Sequence, residues 1–351
     1  MSVASAVGLD PVAVLVGLLR HPSPTGDVDA AASALVELTT QAGYRAHRDA
    51  AGNVVMRWRD GPAADEILLL GHLDTVPGDI PVREQDGRLH GRGTVDAKGP
   101  LAAALAAVSR LDRQGRPVTV VAACDEEGSS LGARLLRSRE APAHLIVLEP
   151  SGWDTITTGY RGCVRLGVTL EQASAHHAGP DPGAADRLVA MLAALPSSLR
   201  GTAGRAVDRI QVRVNALTTA DDGSTDLAFA RLELRIPGGT GVDDVVGRVS
   251  DMLGDARVSV ESACEPVRVS RANDTVRALA RAITAAGGRP RYTTKTGTSD
   301  LNVVLPAWGG CPAAVYGPGD CSLDHSPNEA IELAELHRGT DVLETTLRAL
   351  R

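Results

Sequence analysis

Aromatic residues are scarce in this sequence: Phe, Tyr and Trp make up 2% of its 351 residues, whereas hydrophobic residues as a whole make up 43%. The core must therefore consist mainly of aliphatic side chains and alanine. Long apolar runs are missing too, and none approaches the roughly 18 residues that a membrane-spanning helix needs, so no membrane association is expected. Positive charge is not in excess, since 36 Lys and Arg face 43 Asp and Glu. The net charge of −7 argues against a broad surface for nucleic acid or anionic lipid.

Cysteine is also sparse. The five cysteines are odd in number and none belongs to a CxxC pair, which argues against a disulfide framework and against a zinc ribbon. A reducing, cytoplasmic compartment is therefore expected. The first 20 residues lack the basic start of a secretory signal and carry Asp10 within their apolar stretch, so they are predicted to hold an amphipathic helix and not a signal peptide.

Lysine is the rarest of the charged residues. Only Lys98 and Lys295 occur, and arginine fills every other basic position. Because a compact ammonium and a planar guanidinium are not interchangeable, both lysines are candidates for a role that arginine cannot fill. The alternative for Lys98 is a residue in the first turn of a helix that covers apolar surface, and the alternative for Lys295 is a solvated surface residue.

Three short apolar runs predict buried strands: 66–71, 118–123 and 145–148. An alanine-rich helix at 99–110 and a second helix at 130–139 separate them. This alternation predicts an α/β fold whose sheet has helices on both faces.

The pattern changes near residue 159. From there to residue 270 the chain reads as strand, helix, strand, strand, helix, strand, which is typical of a small α+β sandwich with one open sheet face. The α/β pattern returns afterwards. We therefore predict a discontinuous catalytic domain, 1–158 and 271–351, with a smaller domain, 159–270, inserted in it.

Acidic and histidine residues lie at the ends of the predicted strands or in loops, where ligands of open α/β sheets gather. Their positions are His72, Asp74, Asp96, Glu126, Glu127, Glu149 and His325. Adjacent glutamates point in different directions, so one can bind metal while its neighbour acts as a base. Mixed nitrogen and oxygen ligands with a bridging carboxylate suit two Zn²⁺ or Co²⁺ ions and do not suit Mg²⁺.

Five segments carry a family resemblance: GHLDTVPG, GRGTVDAKGP, CDEEGSS, LEPSG and DHSPNE. In this order they resemble the di-zinc acetylornithine deacetylase / succinyl-diaminopimelate desuccinylase family, which also holds carboxypeptidases, dipeptidases and aminoacylases. Three further segments, EPSGWDTITTGYRG, KTGTSDLN and YGPGDCSLDHSPNE, resemble its branch that acts on a LysW-type amino-group carrier protein. That branch cuts the isopeptide bond between the carrier's C-terminal glutamate and lysine or ornithine.

The resemblance implies an α/β, di-zinc exopeptidase-like catalytic domain with a mixed sheet flanked by helices. It also implies a small α+β (ferredoxin-like) inserted domain that makes a homodimer. It implies two metal sites that share Asp96: His72, Asp96 and Glu149 form one, and Asp96, Glu127 and His325 form the other. Asp74 would orient His72. Glu126 would be the general base that takes a proton from water and passes it to the leaving amine.

The resemblance also implies residues that contact the substrate. His177 of the partner subunit would stabilise the oxyanion, with His176 as the alternative. Arg235 would bind a substrate carboxylate, the alternative being a surface salt bridge, and the segment holding Lys295, Thr296 and Ser299 would lie beside the substrate. The cargo is left open between lysine, ornithine and a related diamino acid. The alternative functions are a small-molecule deacylase or dipeptidase of the same fold, and an inactive metal-binding scaffold.

Overall fold

The computed structural model describes residues 8–176, 178–199 and 205–350. They fall into two compact units. The first holds the chain up to Thr158, Val269–Thr293 and the chain from Val303 onward, and the second holds Gly159–Arg268 and Thr294–Asn302. The predicted boundaries had placed the whole of 271–351 in the first unit, whereas this division assigns 294–302 to the second.

The helices are α1 (Pro11–Leu19), α2 (Asp29–Gln41), α3 (Lys98–Ser109), α4 (Leu131–Leu136), α5 (Ala184–Leu199), α6 (Val242–Leu253), α7 (Asp274–Ala285), α8 (Asp300–Val304) and α9 (Leu333–Ala349). The strands are β1 (Arg45–Arg48), β2 (Val54–Arg59), β3 (Ile67–His72), β4 (Arg83–Gln85), β5 (Arg88–His90), β6 (Val118–Ala123), β7 (His144–Val147), β8 (Thr155–Tyr160), β9 (Gly162–Ala173), β10 (Gln211–Asp221), β11 (Thr225–Ile236), β12 (Arg257–Cys264), β13 (Val267–Arg268), β14 (Arg291–Lys295), β15 (Ala313–Val315) and β16 (Ala330–Glu332).

The first unit is built on a mixed sheet of order β1-β2-β6-β3-β7-β15-β8. Strand β3 runs parallel to β6 and to β7, and β15 runs parallel to β7, while β1, β2 and β8 pair antiparallel to their neighbours. Every residue of β3, β6 and α3 is buried, as their continuous apolar runs require. The predicted α/β class, a mixed sheet flanked by helices, is confirmed.

The second unit is an α+β sandwich. Its four strands are antiparallel, in the order β10-β11-β9-β12, and α5 and α6 pack on one face of the sheet. Alternate residues of β9, such as Val164, Leu166 and Val168, lie in the core with Leu188 of α5 and Val245 of α6. The strand and helix order is the one predicted from the sequence.

Lys98 is fully buried at the start of α3. Its Nζ donates to the carbonyls of His21, at 3.0 Å, and Leu18, at 3.3 Å, near the C-terminal end of α1. Burial lowers the pKa of Lys98 to about 8, and the negative charge of Glu329 opposes that shift. Lys98 therefore joins two helices, which explains why a compact ammonium occupies this position.

Within the described part of the chain, no helix is both long enough and apolar enough to cross a membrane.

Candidate metal centre

Three neighbouring parallel strands bring the predicted ligands to one edge of the sheet. His72 is the last residue of β3, Glu126 and Glu127 follow β6, and Glu149 follows β7. The carboxyl ends of parallel strands meet at the same edge, so side chains far apart in sequence become neighbours. Asp96 reaches the same place from the loop that leads into α3.

His72 lies at the buried end of the centre. Its Nε2 is 3.1 Å from Asp96 Oδ1 and 3.8 Å from Glu149 Oε1. The imidazole is about 1% exposed, and the two carboxylates are about 12% and 10% exposed. The structure thus brings together the three residues assigned to one metal site.

His325 lies at the more exposed end. Its Nε2 is 2.8 Å from Glu127 Oε1 and 3.1 Å from Asp96 Oδ2. The two oxygens of Asp96 therefore face different histidines, which is the arrangement that a bridging carboxylate requires. Ligand atoms of His72, Asp96 and Glu127 all lie within 4.8 Å of one another, so the donor set fits divalent ions of the zinc type.

The carboxylates change the pKa of both histidines. Burial lowers the pKa of His72, but its hydrogen bond to Asp96 and the charges of Glu126, Asp96 and Glu149 raise it well above the ordinary value. Hydrogen bonds to Asp96 and Glu127 raise the pKa of His325 to about 10, against a smaller effect of burial. Negative charge is thus in excess at the centre, which attracts cations.

Asp74 was expected to orient His72, two residues before it in a His-x-Asp (HxD) segment, and its side chain proves to have other partners. The nearest acceptor for His72 Nδ1 is the backbone carbonyl of Asp74, at 2.8 Å, while its carboxylate Oδ1 is 3.7 Å away. That carboxylate instead accepts the backbone N–H groups of Glu126, at 3.1 Å, and Glu127, at 3.2 Å, and the hydroxyl of Thr25, at 2.9 Å. Asp74 therefore orients the histidine through its backbone and holds the glutamate loop through its side chain.

A tight turn presents the two glutamates. Asp125 has a φ of 63°, in the left-handed region, and its carboxylate accepts the backbone N–H and the hydroxyl of Ser129. Glu127 extends to His325, whereas the charge of Glu126 acts on His72. The neighbouring glutamates thus serve different parts of the centre.

Glu329 belongs to the DHSPNE segment, but the sequence analysis gave it no role. It is 1% exposed, and its carboxylate accepts four hydrogen bonds from the loop that carries Asp96. The donors are Arg92 Nη1 (2.8 Å) and the backbone N–H groups of Gly93 (3.1 Å), Val95 (2.8 Å) and Asp96 (3.1 Å). Its place in a motif with His325 was the only signal in the sequence.

Of the two predicted oxyanion histidines, the structure describes His176, which belongs to the second unit. His176 is exposed, and its Nδ1 accepts the backbone N–H of Ala178 at 3.2 Å. His177 lies outside the described residues.

The predicted substrate-binding residues also belong to the second unit. Arg235 is half-buried and pairs with Glu233 of its own strand, Nη2 to Oε1 2.9 Å. Lys295 is half-buried and Thr296 is exposed. Ser299 is buried, and its hydroxyl accepts the backbone N–H of Leu301.

Arg161 is a second residue that the sequence analysis did not single out. It lies in the TTGYRG segment and is 4% exposed. Its Nε donates to the carbonyl of Thr296 at 3.0 Å, and its Nη2 donates to Gln211 Oε1 at 3.1 Å. Burial lowers the pKa of Arg161, and the positive charge of Arg235 lowers it further. The positive charge of Arg235 thus acts on Arg161 within the second unit.

Comparison with known proteins also indicates a metal-dependent hydrolase. The family model of peptidase family M20/M25/M40 matches residues 68–349. A LysW-lysine hydrolase from Deinococcus radiodurans is 39% identical over 344 residues, which is 94% of each chain. A LysW-lysine/LysW-ornithine hydrolase from Saccharolobus islandicus is 30% identical over 78% of each chain. The resemblance to this branch is therefore confirmed.

Solved structures show the same fold at lower identity. Aminopeptidase PepT from Bacillus cereus superimposes with a TM-score of 0.80 at 18% identity, over 97% of this chain and 98% of its own. An M20 family metallo-carboxypeptidase from Sulfolobus solfataricus gives a TM-score of 0.78 at 18% identity, over 97% of this chain and 99% of its own.

The predicted metal-dependent hydrolase is confirmed by the family match and by the named relatives. The cluster of His72, Asp96 and Glu127 is accordingly a site for divalent metal. Because the family model spans most of the chain, including every residue of this cluster, the chain belongs to peptidase family M20/M25/M40.

Proposed function

We propose that this enzyme hydrolyses the amide bond between the C-terminal glutamate of a LysW-type amino-group carrier protein and lysine, ornithine or a related diamino acid. The observation that carries the proposal is the relation to the Deinococcus enzyme, whose name states a LysW-lysine substrate and which aligns over 94% of both chains. The metal centre supports the reaction class, since amide hydrolysis is the chemistry of paired divalent ions.

The centre is proposed to hold two ions, Zn²⁺ or Co²⁺. His72, Asp96 and Glu149 would hold one, and Asp96, Glu127 and His325 the other. Asp96 supports a bridging role because its two oxygens face the two histidines, at 3.1 Å each. When bound, the ions polarise the scissile carbonyl. Elemental analysis of the loaded enzyme should give two equivalents per chain, and a single equivalent at saturation would contradict this assignment.

Glu126 is the proposed general base. It would take a proton from the attacking water and deliver that proton to the leaving amine. Its position supports this role, because Asp74 accepts the backbone N–H of Glu126 at 3.1 Å and so holds the loop that carries it. Asp74 is thus proposed as a positioning residue for both the histidine and the base.

The second unit is proposed to bind the substrate's charged ends. Arg235 would bind a carboxylate, which would also relieve its repulsion with Arg161. Lys295 would pair with a second carboxylate, of the cargo or of the carrier's terminal glutamate. Thr296 would contact the substrate, and Ser299 would hold the turn that carries these residues, since its hydroxyl accepts a backbone N–H within it.

The enzyme is also proposed to act as a homodimer in the cytoplasm, with His177 of one chain completing the site of the other. Strand β10 supports a role in dimerisation. It is an 11-residue edge strand of the second unit, and it exposes Val214 and Leu217. Exposed edge strands of this length are a ready surface for pairing with a second chain.

A mixing experiment tests the contribution in trans. His177→Ala and Glu126→Gln should each lose most activity, and mixing equal amounts should restore about a quarter of the wild-type rate. In a symmetric dimer, half of the pairs are mixed, and each mixed pair holds one complete site. A mixture no more active than its components, with subunit exchange verified by mass, would contradict the shared site. His176→Ala serves as the matched variant. If His176→Ala, and not His177→Ala, loses activity and regains it on mixing with Glu126→Gln, then His176 is the oxyanion residue.

Lys295→Arg tests the substrate role of the second lysine. We expect kcat/KM on the carrier substrate to fall about tenfold, because a guanidinium cannot reproduce the compact geometry of an ammonium. The melting temperature should stay unchanged, since Lys295 is only half-buried. Arg289→Lys, at an exposed position, is the matched exchange and should leave the kinetics alone. Wild-type kinetics in Lys295→Arg would assign the residue to the solvated surface.

The function itself is tested with two carrier substrates, carrier-bound lysine and carrier-bound ornithine, read by intact mass after incubation with Zn²⁺ or Co²⁺. Loss of the cargo mass from either carrier is the expected result. Hydrolysis of N-acetylornithine or a dipeptide with both carriers left intact would instead indicate a small-molecule deacylase or dipeptidase. No hydrolysis by the metal-loaded protein would indicate a scaffold.

A further inference from the structure

The two cysteines of the second unit lie opposite each other in neighbouring strands. Cys163 is near the start of β9 and Cys264 is the last residue of β12, and the antiparallel register pairs them directly. A bulge in β12, where the register shifts between Val260 and Ser262, sets this alignment. Both are free thiols in the structure.

This placement has the geometry of a disulfide. Opposed residues of an antiparallel pair have Cα atoms about 4.5–5.5 Å apart. A disulfide needs a Cα separation of roughly 4.4–6.8 Å, and directly opposed residues meet that requirement. The two side chains also lie on the same face of the sheet, since directly opposed residues always do. The backbone N–H of Cys163 faces the sulfur of Cys264.

We propose that Cys163 and Cys264 are a site of reversible oxidation, at which a low-molecular-weight disulfide such as glutathione disulfide converts the two thiols into an intramolecular disulfide. The half-buried Cys264 attacks the external disulfide, forms a mixed disulfide and releases one thiol. Cys163 then attacks the Cys264 sulfur and releases the second thiol. The protein loses two protons and two electrons, and the oxidant takes them up to become two thiols.

The neighbouring charges favour this reaction, while burial slows it. Burial raises the pKa of Cys163, and the guanidinium of Arg235, its register partner in β11, lowers it. Burial likewise raises the pKa of Cys264, and the N–H of Cys163 and the charge of Arg235 lower it. Both thiols keep a pKa above the ordinary value, so their exchange with an external disulfide is slow.

The bond would close almost the entire second unit. β9 is its first long strand and β12 its last, and the chain between the two cysteines holds α5, β10, β11 and α6. A bond across a loop of about 100 residues removes much of the conformational freedom of the unfolded unit. Oxidation should therefore stabilise the second unit in particular.

The test uses the full-length protein, incubated with glutathione disulfide, alkylated and analysed by intact mass and peptide mapping. We expect a linked Cys163–Cys264 peptide that dithiothreitol releases, and a melting temperature several degrees higher than that of the reduced protein. Cys264→Ser should abolish both effects. Cys311→Ser, at a half-buried position in the first unit, should keep both.

A second arm of the experiment distinguishes two reasons for a missing disulfide: cysteines too buried to react with glutathione disulfide, and cysteines too poorly placed to be linked. The same chain is refolded from denaturant in glutathione buffer, where access does not limit exchange. If Cys163 and Cys264 remain alkylatable in both arms, the proposal is overturned. It is also overturned if the linked peptide joins other cysteines, or if only the exposed Cys321 takes up glutathione.

Discussion

Glu126→Gln should lose about 10²- to 10⁴-fold in kcat, the usual cost of removing a general base, while keeping its metal and its fold. The amide is close to the carboxylate in size but cannot accept the proton of the attacking water. The proposed ligands His72, Asp96, Glu127, Glu149 and His325 are untouched. The hydrogen bond that holds the loop uses the backbone N–H of residue 126, so Asp74 keeps its partner in the variant.

Three measurements on the same preparation check this expectation: kcat on the carrier substrate, metal content by elemental analysis, and the melting temperature. Glu140→Gln is the matched control, because it makes the same exchange at an exposed position and should match the wild type. Near-normal turnover in Glu126→Gln with full metal content would show that Glu126 is not the general base. A parallel loss of metal would show instead that Glu126 is a ligand.

Several proposed ligands of the metal centre could be predicted from the sequence because of their positions relative to the apolar strands. Three of the proposed ligands end or follow a short apolar strand, and parallel strands place their carboxyl ends at one edge. The sequence therefore predicts that His72, Glu127 and Glu149 lie close together. The same logic predicted that helices cover both faces of the sheet, since β3 and β6 are fully buried and read as unbroken apolar segments.

Other features depend on contacts that no local pattern records. Glu329 acts on a loop more than 230 residues earlier in the chain, and only the packed fold shows that its carboxylate collects four donors there. The true acceptor of the His72 imidazole, a carbonyl, could not be read from an HxD pair, because Asp74 has two competing groups. The opposition of Cys163 and Cys264 depends on a bulge, and one residue more or less would have turned one thiol to the other face.

Glu329→Gln should weaken metal binding about 10- to 100-fold, although Glu329 is not one of the proposed ligands. The amide has one acceptor oxygen and one donor nitrogen, so it cannot serve both oxygen positions that Glu329 now fills. One oxygen accepts from Val95 and Asp96, and the other accepts from Gly93 and Arg92. An amide nitrogen at the second position would face two donors and leave the guanidinium of Arg92 without its buried counter-charge, so the loop that presents Asp96 should shift.

The prediction separates a positioning role from a purely structural one by comparing metal affinity with stability. Zinc titration should show the weaker affinity, and activity should recover substantially when metal is raised far above the new dissociation constant. Glu332→Gln, three residues later and exposed, is the matched control; its partner Arg88 is a surface residue, so affinity and activity should not change. If Glu329→Gln lowers the melting temperature but binds zinc as tightly as the wild type, then the carboxylate stabilises the fold without setting the position of Asp96.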